Sequence, residues 1–115
     1  LYRLPGEPIH MNGRAVILHA VRKVPSIIET VLQRQHRAAA DIGVFLMHQA
    51  NANLIAKIAA TLGVPPEKFF RNIDRYGNTS SASLLIAAAE WPGPWQGPLV
   101  LAAFGAGFHW GAMLI

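Results

Sequence analysis

The stretch GVFLMHQANANLIAKIAATLG, Gly43 to Gly63, decides the fold. Val44-Phe45-Leu46-Met47 is a short continuous apolar run, the pattern of a strand buried on both faces of a parallel sheet. A helix follows at once. Asn51 suits its N-cap, Leu54, Ile55, Ile58, Ala59 and Leu62 form an apolar stripe, and Gly63 suits the stop. A strand passing directly into a helix is the opening of an α/β unit.

Working outward, the residues before this unit read as a helix. Leu1 to Pro8 is irregular, Ile9 to Met11 is a candidate short strand, and Asn12-Gly13 is a turn signal. From Arg14 onward, Ile17, Ala20, Val21, Val24, Ile28, Val31 and Leu32 step by three and four. That spacing predicts an amphipathic helix, with Pro25 kinking it or marking a second start, and polar Gln33 to Arg37 ending it. After Gly63, Pro65-Pro66-Glu67 opens a turn, Phe69 to Ile73 is a candidate strand, and Tyr76-Gly77-Asn78 is a tight turn. Thr79 or Ser80 is expected to cap a third helix through Leu84, Leu85, Ala88 and Ala89. Trp91 to Pro98 reads as a loop. Leu99 to Phe104 reads as a second buried strand, Gly105-Ala106-Gly107 as a turn, and Phe108 to Ile115 as a last strand. So short a connection forces the final pair to be antiparallel. The expected architecture is one α/β domain over residues 1–115, a mostly parallel sheet with an antiparallel final strand and flanking helices.

Composition bounds what such a domain can be. Of 115 residues, 52% are apolar and 14% charged, against a usual charged share of roughly 25%. Disorder is excluded, since it needs low hydrophobicity and high charge. The apolar run from Ala38 to Ala50 is cut by Asp41 and ends at His48, short of the ~20 residues a membrane span needs. The absence of cysteine excludes a disulfide framework, cysteine-ligated zinc and a thiol nucleophile within the chain. The net charge of +4 is scattered, with no run of five like charges, so no nucleic-acid footprint is demanded. No start resembling a signal peptide is present, which gives a cytoplasmic expectation. So much apolar surface on so small a domain predicts an apolar face that belongs against another domain or subunit.

Ligands of open α/β sheets bind beyond the carboxyl ends of strands. Three polar groupings fall there: His48 to Asn51, Tyr76 to Ser80, and Gly105 to Gly107. Each has a plain reading. His48 can be a packed ring, Asn51 only a cap, Asn78 a residue supplying positive φ, and the glycines only a turn. His10, His19, His36 and His109 show no metal-ligand spacing. Gly105-Ala106-Gly107 is not a dinucleotide fingerprint, because no helix follows it. Ser80, Ser81 and Ser83 lie in no nucleophile elbow. What remains is an imidazole, a carboxamide and a glycine-rich backbone loop. These are hydrogen-bond donors rather than nucleophiles, a set suited to stabilising a developing oxyanion.

His48-Gln49-Ala50-Asn51, Arg75-Tyr76-Gly77-Asn78-Thr79-Ser80-Ser81-Ala82-Ser83 and Phe104-Gly105-Ala106-Gly107-Phe108-His109-Trp110-Gly111-Ala112 resemble the C-terminal half of the β-ketoacyl-acyl-carrier-protein synthase III family, of the thiolase-like condensing superfamily. Met11-Asn12-Gly13-Arg14-Ala15-Val16 and the helix around Val24-Pro25 resemble it too. The resemblance implies a thiolase-like half-fold, a homodimer, and decarboxylative Claisen condensation of acyl-coenzyme A with malonyl-acyl carrier protein at the start of fatty-acid synthesis. It implies catalytic roles for His48 and Asn78, an oxyanion role for the backbone of Gly105, Ala106 and Gly107, and pantetheine or carrier contacts at Asn51, Asn53 and Lys57. The coenzyme A thioester is then a substrate, with no further cofactor or metal. The nucleophilic cysteine of the family's N-terminal half has no counterpart here. Asn53 stands where relatives carry an arginine for carrier docking, and Lys57, one helical turn on, is its substitute. Tyr76 replaces a histidine, Ala106 a glycine and Met47 a proline. Alternatives are a synthase III-like acyltransferase of secondary metabolism, and a non-catalytic dimerisation or binding domain with a decayed site.

Overall fold

The computed structural model describes residues 3–94 and 97–115. The irregular readings at Leu1–Pro8 and Trp91–Pro98 include Leu1, Tyr2, Trp95 and Gln96, which lie outside the described residues. Helix α1 (Gly13–Arg34) leads into strand β1 (Val44–Met47) and helix α2 (Ala52–Leu62). A one-turn helix α3 (Ile73–Tyr76), helix α4 (Ser83–Glu90) and strands β2 (Leu99–Gly105) and β3 (His109–Leu114) complete the chain. Short 3₁₀ turns at Ala39–Asp41, Pro66–Lys68 and Ser80–Ala82 connect them.

The three strands lie in the order β1-β2-β3. β1 runs parallel to β2, with Val44 opposite Leu99 and Met47 opposite Ala102. β3 folds back antiparallel, with Gly105 opposite His109 and Val100 opposite Leu114. The sheet is therefore mixed, its parallel character resting on the β1–β2 pairing and one bridge from Phe45 to Phe69.

Both faces of β1 are buried, as its unbroken apolar run requires. Phe45 and Met47, with Val100, Ala102 and Phe104 of β2, pack against Ala20, Val24, Ile28 and Leu32 of α1 and Leu54, Ile55, Ile58 and Ala59 of α2. Val44, Leu46 and Leu99 point the other way, toward Leu84 and Ala88 of α4, Phe70 and Trp91. Helices thus flank the sheet on both sides, but α4 covers only the β1 side of its face. Beyond it, Leu101, Ala103, Gly111 and Met113 line a shallow apolar groove of about 320 Å³ with Leu84. Leu85 is 72% exposed and Met113 58%.

Several local readings change. Ile9–Met11 forms no strand, only a single bridge position at His10. Asn12 is the N-cap of α1 rather than part of a free turn, its Oδ1 accepting from the Ala15 N–H at 3.0 Å. Helix α1 runs through Pro25 without a second start, and Pro25 is itself buried. Neither Thr79 nor Ser80 caps α4 through its side chain. Phe69–Ile73 is not a strand. Phe69 stacks on Phe45 with ring centroids 4.6 Å apart, and the Phe70 N–H donates to the Phe45 carbonyl at 3.2 Å. Past that point the Gln49 carboxamide takes the places a neighbouring strand would occupy. Its Nε2 donates to the carbonyls of Met47 (2.9 Å) and Phe70 (3.2 Å), and its Oε1 accepts from the Asn72 N–H at 3.2 Å.

Asn51 and Gly63 act as their residue types dictate. The Asn51 Oδ1 accepts from the N–H groups of Asn53 (2.9 Å) and Leu54 (3.1 Å), and Gly63 ends α2 at φ 66°. Core burial of α1 is tested by Ile28→Ala, expected to destabilise the chain by about 2–5 kcal/mol in urea titration. Leu18→Ala, on the same helix but exposed, is expected to stay within about 0.5 kcal/mol.

Candidate active site

His48 follows directly on β1. Its N–H still donates to the Ala102 carbonyl, at 2.9 Å, so the ladder carries the residue one step past the strand end. The ring is half-buried, and Phe104 meets it edge-on at 5.2 Å between centroids. Its Nδ1 forms a short hydrogen bond with the Ser83 hydroxyl. Desolvation by this packing lowers the imidazole pKa below its ordinary value, so the ring is neutral at pH 7.

Asn78 arrives from the other direction. The left-handed conformations of its turn fall on Gly77, at φ 66° and ψ −158°, and on Ser80, at φ 56°. Asn78 is therefore not there to supply positive φ. Its Oδ1 accepts from the Ser80 N–H at 2.9 Å, which orients the carboxamide and leaves the Nδ2 end as the available donor. The segment before it is tied down by Glu90 at the end of α4. That carboxylate accepts from Asn72 Nδ2 at 3.1 Å, from Arg75 Nη2 at 2.6 Å and from the Tyr76 hydroxyl. The Tyr76 hydrogen bond, seconded by Asn72, holds the Glu90 carboxyl below its usual range, and the same bond raises the phenol.

The Gly105-Ala106-Gly107 hairpin forms the third wall. Gly107 sits at φ 141°, and a Cβ built there would overlap the His109 ring, so glycine is required twice over. Gly105 has open space around its Cα.

His48, Asn51, Asn78, Gly105, Ala106 and Gly107 all line one cavity of about 1050 Å³. The structure thus gathers six of the eight residues singled out from sequence. Asn53 and Lys57 do not reach it; both lie exposed on α2. The start of α1 and the two residues before it supply a wall that residue chemistry alone did not predict, with Met11, Asn12, Val16 and His19 among its members. His19, which shows no metal-ligand spacing in the sequence, lines the cavity and packs on Phe108 with ring centroids 5.5 Å apart. Ser83 lines it as well. In the sequence it closes the Arg75 to Ser83 stretch of the resemblance, which assigns it no role of its own. Among the described residues no Asp, Glu, Lys or Arg lines this cavity. Its polar groups include the carboxamides of Asn12, Asn51 and Asn78, the hydroxyls of Ser80, Ser81 and Ser83, and the neutral ring of His48, dipoles of the kind that favour charge appearing during a reaction.

Comparison with known proteins gives this geometry a context. Residues 32–115 match the family model described as 3-oxoacyl-[acyl-carrier-protein (ACP)] synthase III C terminal. A β-ketoacyl-[acyl-carrier-protein] synthase III of Lactococcus lactis subsp. cremoris is 40% identical over 116 residues, covering 96% of this chain and 36% of the relative. The crystal structure of 3-oxoacyl-(acyl carrier protein) synthase III from Pseudomonas aeruginosa superposes with a TM-score of 0.88 at 34% identity, over 92% of this chain and 34% of that one. The priming β-ketosynthase of the R1128 polyketide biosynthetic pathway superposes with a TM-score of 0.82 at 32% identity, over 92% of this chain and 34% of that one. The chain spans about a third of the length of these relatives.

Two expectations follow from the geometry. Gly107→Ala is expected to destabilise the hairpin by about 1 kcal/mol or more, from forced positive φ and displacement of the His109 ring. Gly105→Ala leaves stability nearly unchanged, and paired thermal melts separate the two. His48 binds a proton less readily in the folded than in the unfolded chain. Its contribution to stability is therefore present above the ordinary imidazole pKa, about 6.5, and is lost as pH falls through the lowered folded value. Urea titrations from pH 8 to pH 5 are expected to show this loss, and His48→Gln to flatten it.

Proposed function

Because the chain belongs to the 3-oxoacyl-[acyl-carrier-protein] synthase III family, matching its C-terminal part, we propose that it supplies the oxyanion-stabilising half of a decarboxylative Claisen condensation. The observation that carries this reading is the convergence of His48, Asn78 and the 105–107 hairpin on one cavity that, among the described residues, no Asp, Glu, Lys or Arg lines.

In the proposed reaction, an acyl group passes from acyl-coenzyme A to a cysteine thiolate on polypeptide outside this chain, and coenzyme A leaves. Malonyl-acyl carrier protein then presents its thioester in the cavity. The bond to the malonyl carboxylate breaks, carbon dioxide departs, and the electron pair moves into an enolate whose oxygen takes the negative charge. An imidazole N–H from His48 and the Nδ2–H of Asn78 meet that oxygen. The charge is absent from the ground state, so these donors lower the barrier instead of merely tightening binding. One such donor contributes about 2.7–4 kcal/mol, and two acting as a unit are not additive. The enolate carbon next attacks the acyl-cysteine carbonyl. A backbone N–H of the hairpin, with the cysteine amide, receives the tetrahedral oxygen, and collapse expels the thiolate and leaves the β-ketoacyl product on the carrier.

A neutral imidazole suits this chemistry. A cation would need a counter-charge, and among the described residues no carboxylate lines the cavity. The open groove beside α4 and the exposed Leu85 and Met113 suit a covering partner, which we assign to the cysteine-bearing half, with a homodimer of the completed enzyme. Carrier contacts fall to Asn53 and Lys57 on the exposed face of α2, and Asn51 contacts the pantetheine arm. The setting is cytoplasmic. Among the described residues no helix is long and apolar enough to cross a membrane. The likeness to a polyketide priming ketosynthase favours one second reading, a synthase III-like acyltransferase of secondary metabolism. That enzyme would make an ester, an amide or a different ketone.

The test is carbon dioxide release from malonyl-acyl carrier protein by the full-length protein. His48→Ala and Asn78→Ala are each expected to slow it by about 10²–10³-fold. Asn78→Asp, which exchanges a donor for a negative acceptor, is expected to be at least as damaging. Unchanged rates in both alanine variants would end the assignment. Acyl transfer without carbon dioxide release would favour the second reading.

A further inference from the structure

Ser83 opens α4 and is 2% exposed. Two polar groups reach its Oγ. The backbone N–H of Gln49 lies at 3.2 Å, and His48 Nδ1 forms the short bond already described. An amide N–H can only donate, so it occupies a lone pair of the hydroxyl oxygen. The hydroxyl proton then needs an acceptor, and among the described residues His48 Nδ1 is the acceptor within reach. If Nδ1 carried the ring proton instead, Oγ would accept twice. Its own buried proton would then have no partner, an arrangement native structures avoid. Only one assignment satisfies all three groups.

We infer that Ser83 is a positioning residue: its hydroxyl donates to His48 Nδ1, fixing the neutral ring in the Nε2–H tautomer with that N–H directed away from Ser83 into the cavity. The inference rests on the reading of His48 as an oxyanion donor. It adds which nitrogen donates and what holds it there. Both partners of this hydrogen bond have a second contact. Gln49, the residue after His48, holds Oγ through the backbone, while Phe104 packs on the ring edge. Ser83 also lies a few residues beyond Asn78, so one hydroxyl links the segments that carry both donors.

The test begins with the full-length protein, uniformly ¹⁵N-labelled at histidine, at a pH where His48 is neutral. The His48 resonances are assigned by their loss in His48→Gln. A protonated, pyrrole-type Nε2 and an unprotonated, pyridine-type Nδ1 are expected. In Ser83→Ala the ring is expected to become a mixture of tautomers. Carbon dioxide release from malonyl-acyl carrier protein is expected to fall by about 10–100-fold in kcat, with KM little changed. Ser83→Thr, which keeps the hydroxyl, is expected to restore the tautomer and most of the rate. A pyrrole-type Nδ1 in the unsubstituted protein overturns the inference, whether or not any variant folds. So does an unaltered tautomer in Ser83→Ala. Should His48→Ala leave carbon dioxide release unchanged, the condensing reading fails by itself, and the tautomer spectra still decide the Ser83 hydrogen bond.

Discussion

A single buried carboxamide fixes the layout of this domain. Gln49 is 1% exposed, so its donors and acceptor must all be satisfied within the protein. They are met by the carbonyls of Met47 and Phe70 and the N–H of Asn72. The end of β1 is thereby fastened to the segment that leads to Asn78. Asn72 in turn donates to Glu90, which also gathers Arg75 and Tyr76. The backbone N–H of Gln49 reaches Ser83 on the far side of the same segment. His48 and Asn78 are distant in sequence, yet these hydrogen bonds fasten the strand end that carries His48 to the segments on either side of Asn78. Networks of this kind specify geometry strongly because each unmet member is costly in a low dielectric.

That rigidity matters because of how the cavity handles charge. A wall of neutral donors does not bind an anionic ground state strongly. It acts on charge that develops at a point its dipoles already face, and it needs no reorganisation when that charge appears. Desolvation of His48 works in the same direction, since it disfavours the imidazolium and keeps the ring a dipole. Among the described residues no Lys or Arg lines the wall, so the net charge of +4 is carried elsewhere on the surface.

Much of the fold was legible in the sequence, where periodicity and termination signals agreed. β1 and α2 fall where Val44–Met47 and the stripe ending at Gly63 put them, and the antiparallel β2–β3 hairpin follows from a connection too short for a crossover. The failures have a common physical origin. Phe69–Ile73 has the apolar and aromatic content of a strand, but Gln49 binds its backbone in place of a neighbouring strand, and no local pattern reveals that. Thr79 and Ser80 have the chemistry of caps. Here Ser80 instead gives its N–H to Asn78, and the helix begins three residues later. At the site, His48 and Asn78 were legible as polar residues at element ends. Ser83 was not, because a serine in a serine-rich stretch acquires its part only when tertiary packing buries it against an imidazole.

The odd composition also finds its place. With few charged residues, some apolar surface must remain uncovered, but it is not spread evenly. Met113 lines the groove that α4 leaves open, while Ile9, Met11 and Ile17 line the cavity. Interior-facing positions of the sheet continue into this groove through Leu101 and Ala103 without a polar boundary. A sheet face finished against water would alternate to polar side chains at those positions. The layer over this face is therefore unfinished within the chain, which is where its excess of apolar residues shows.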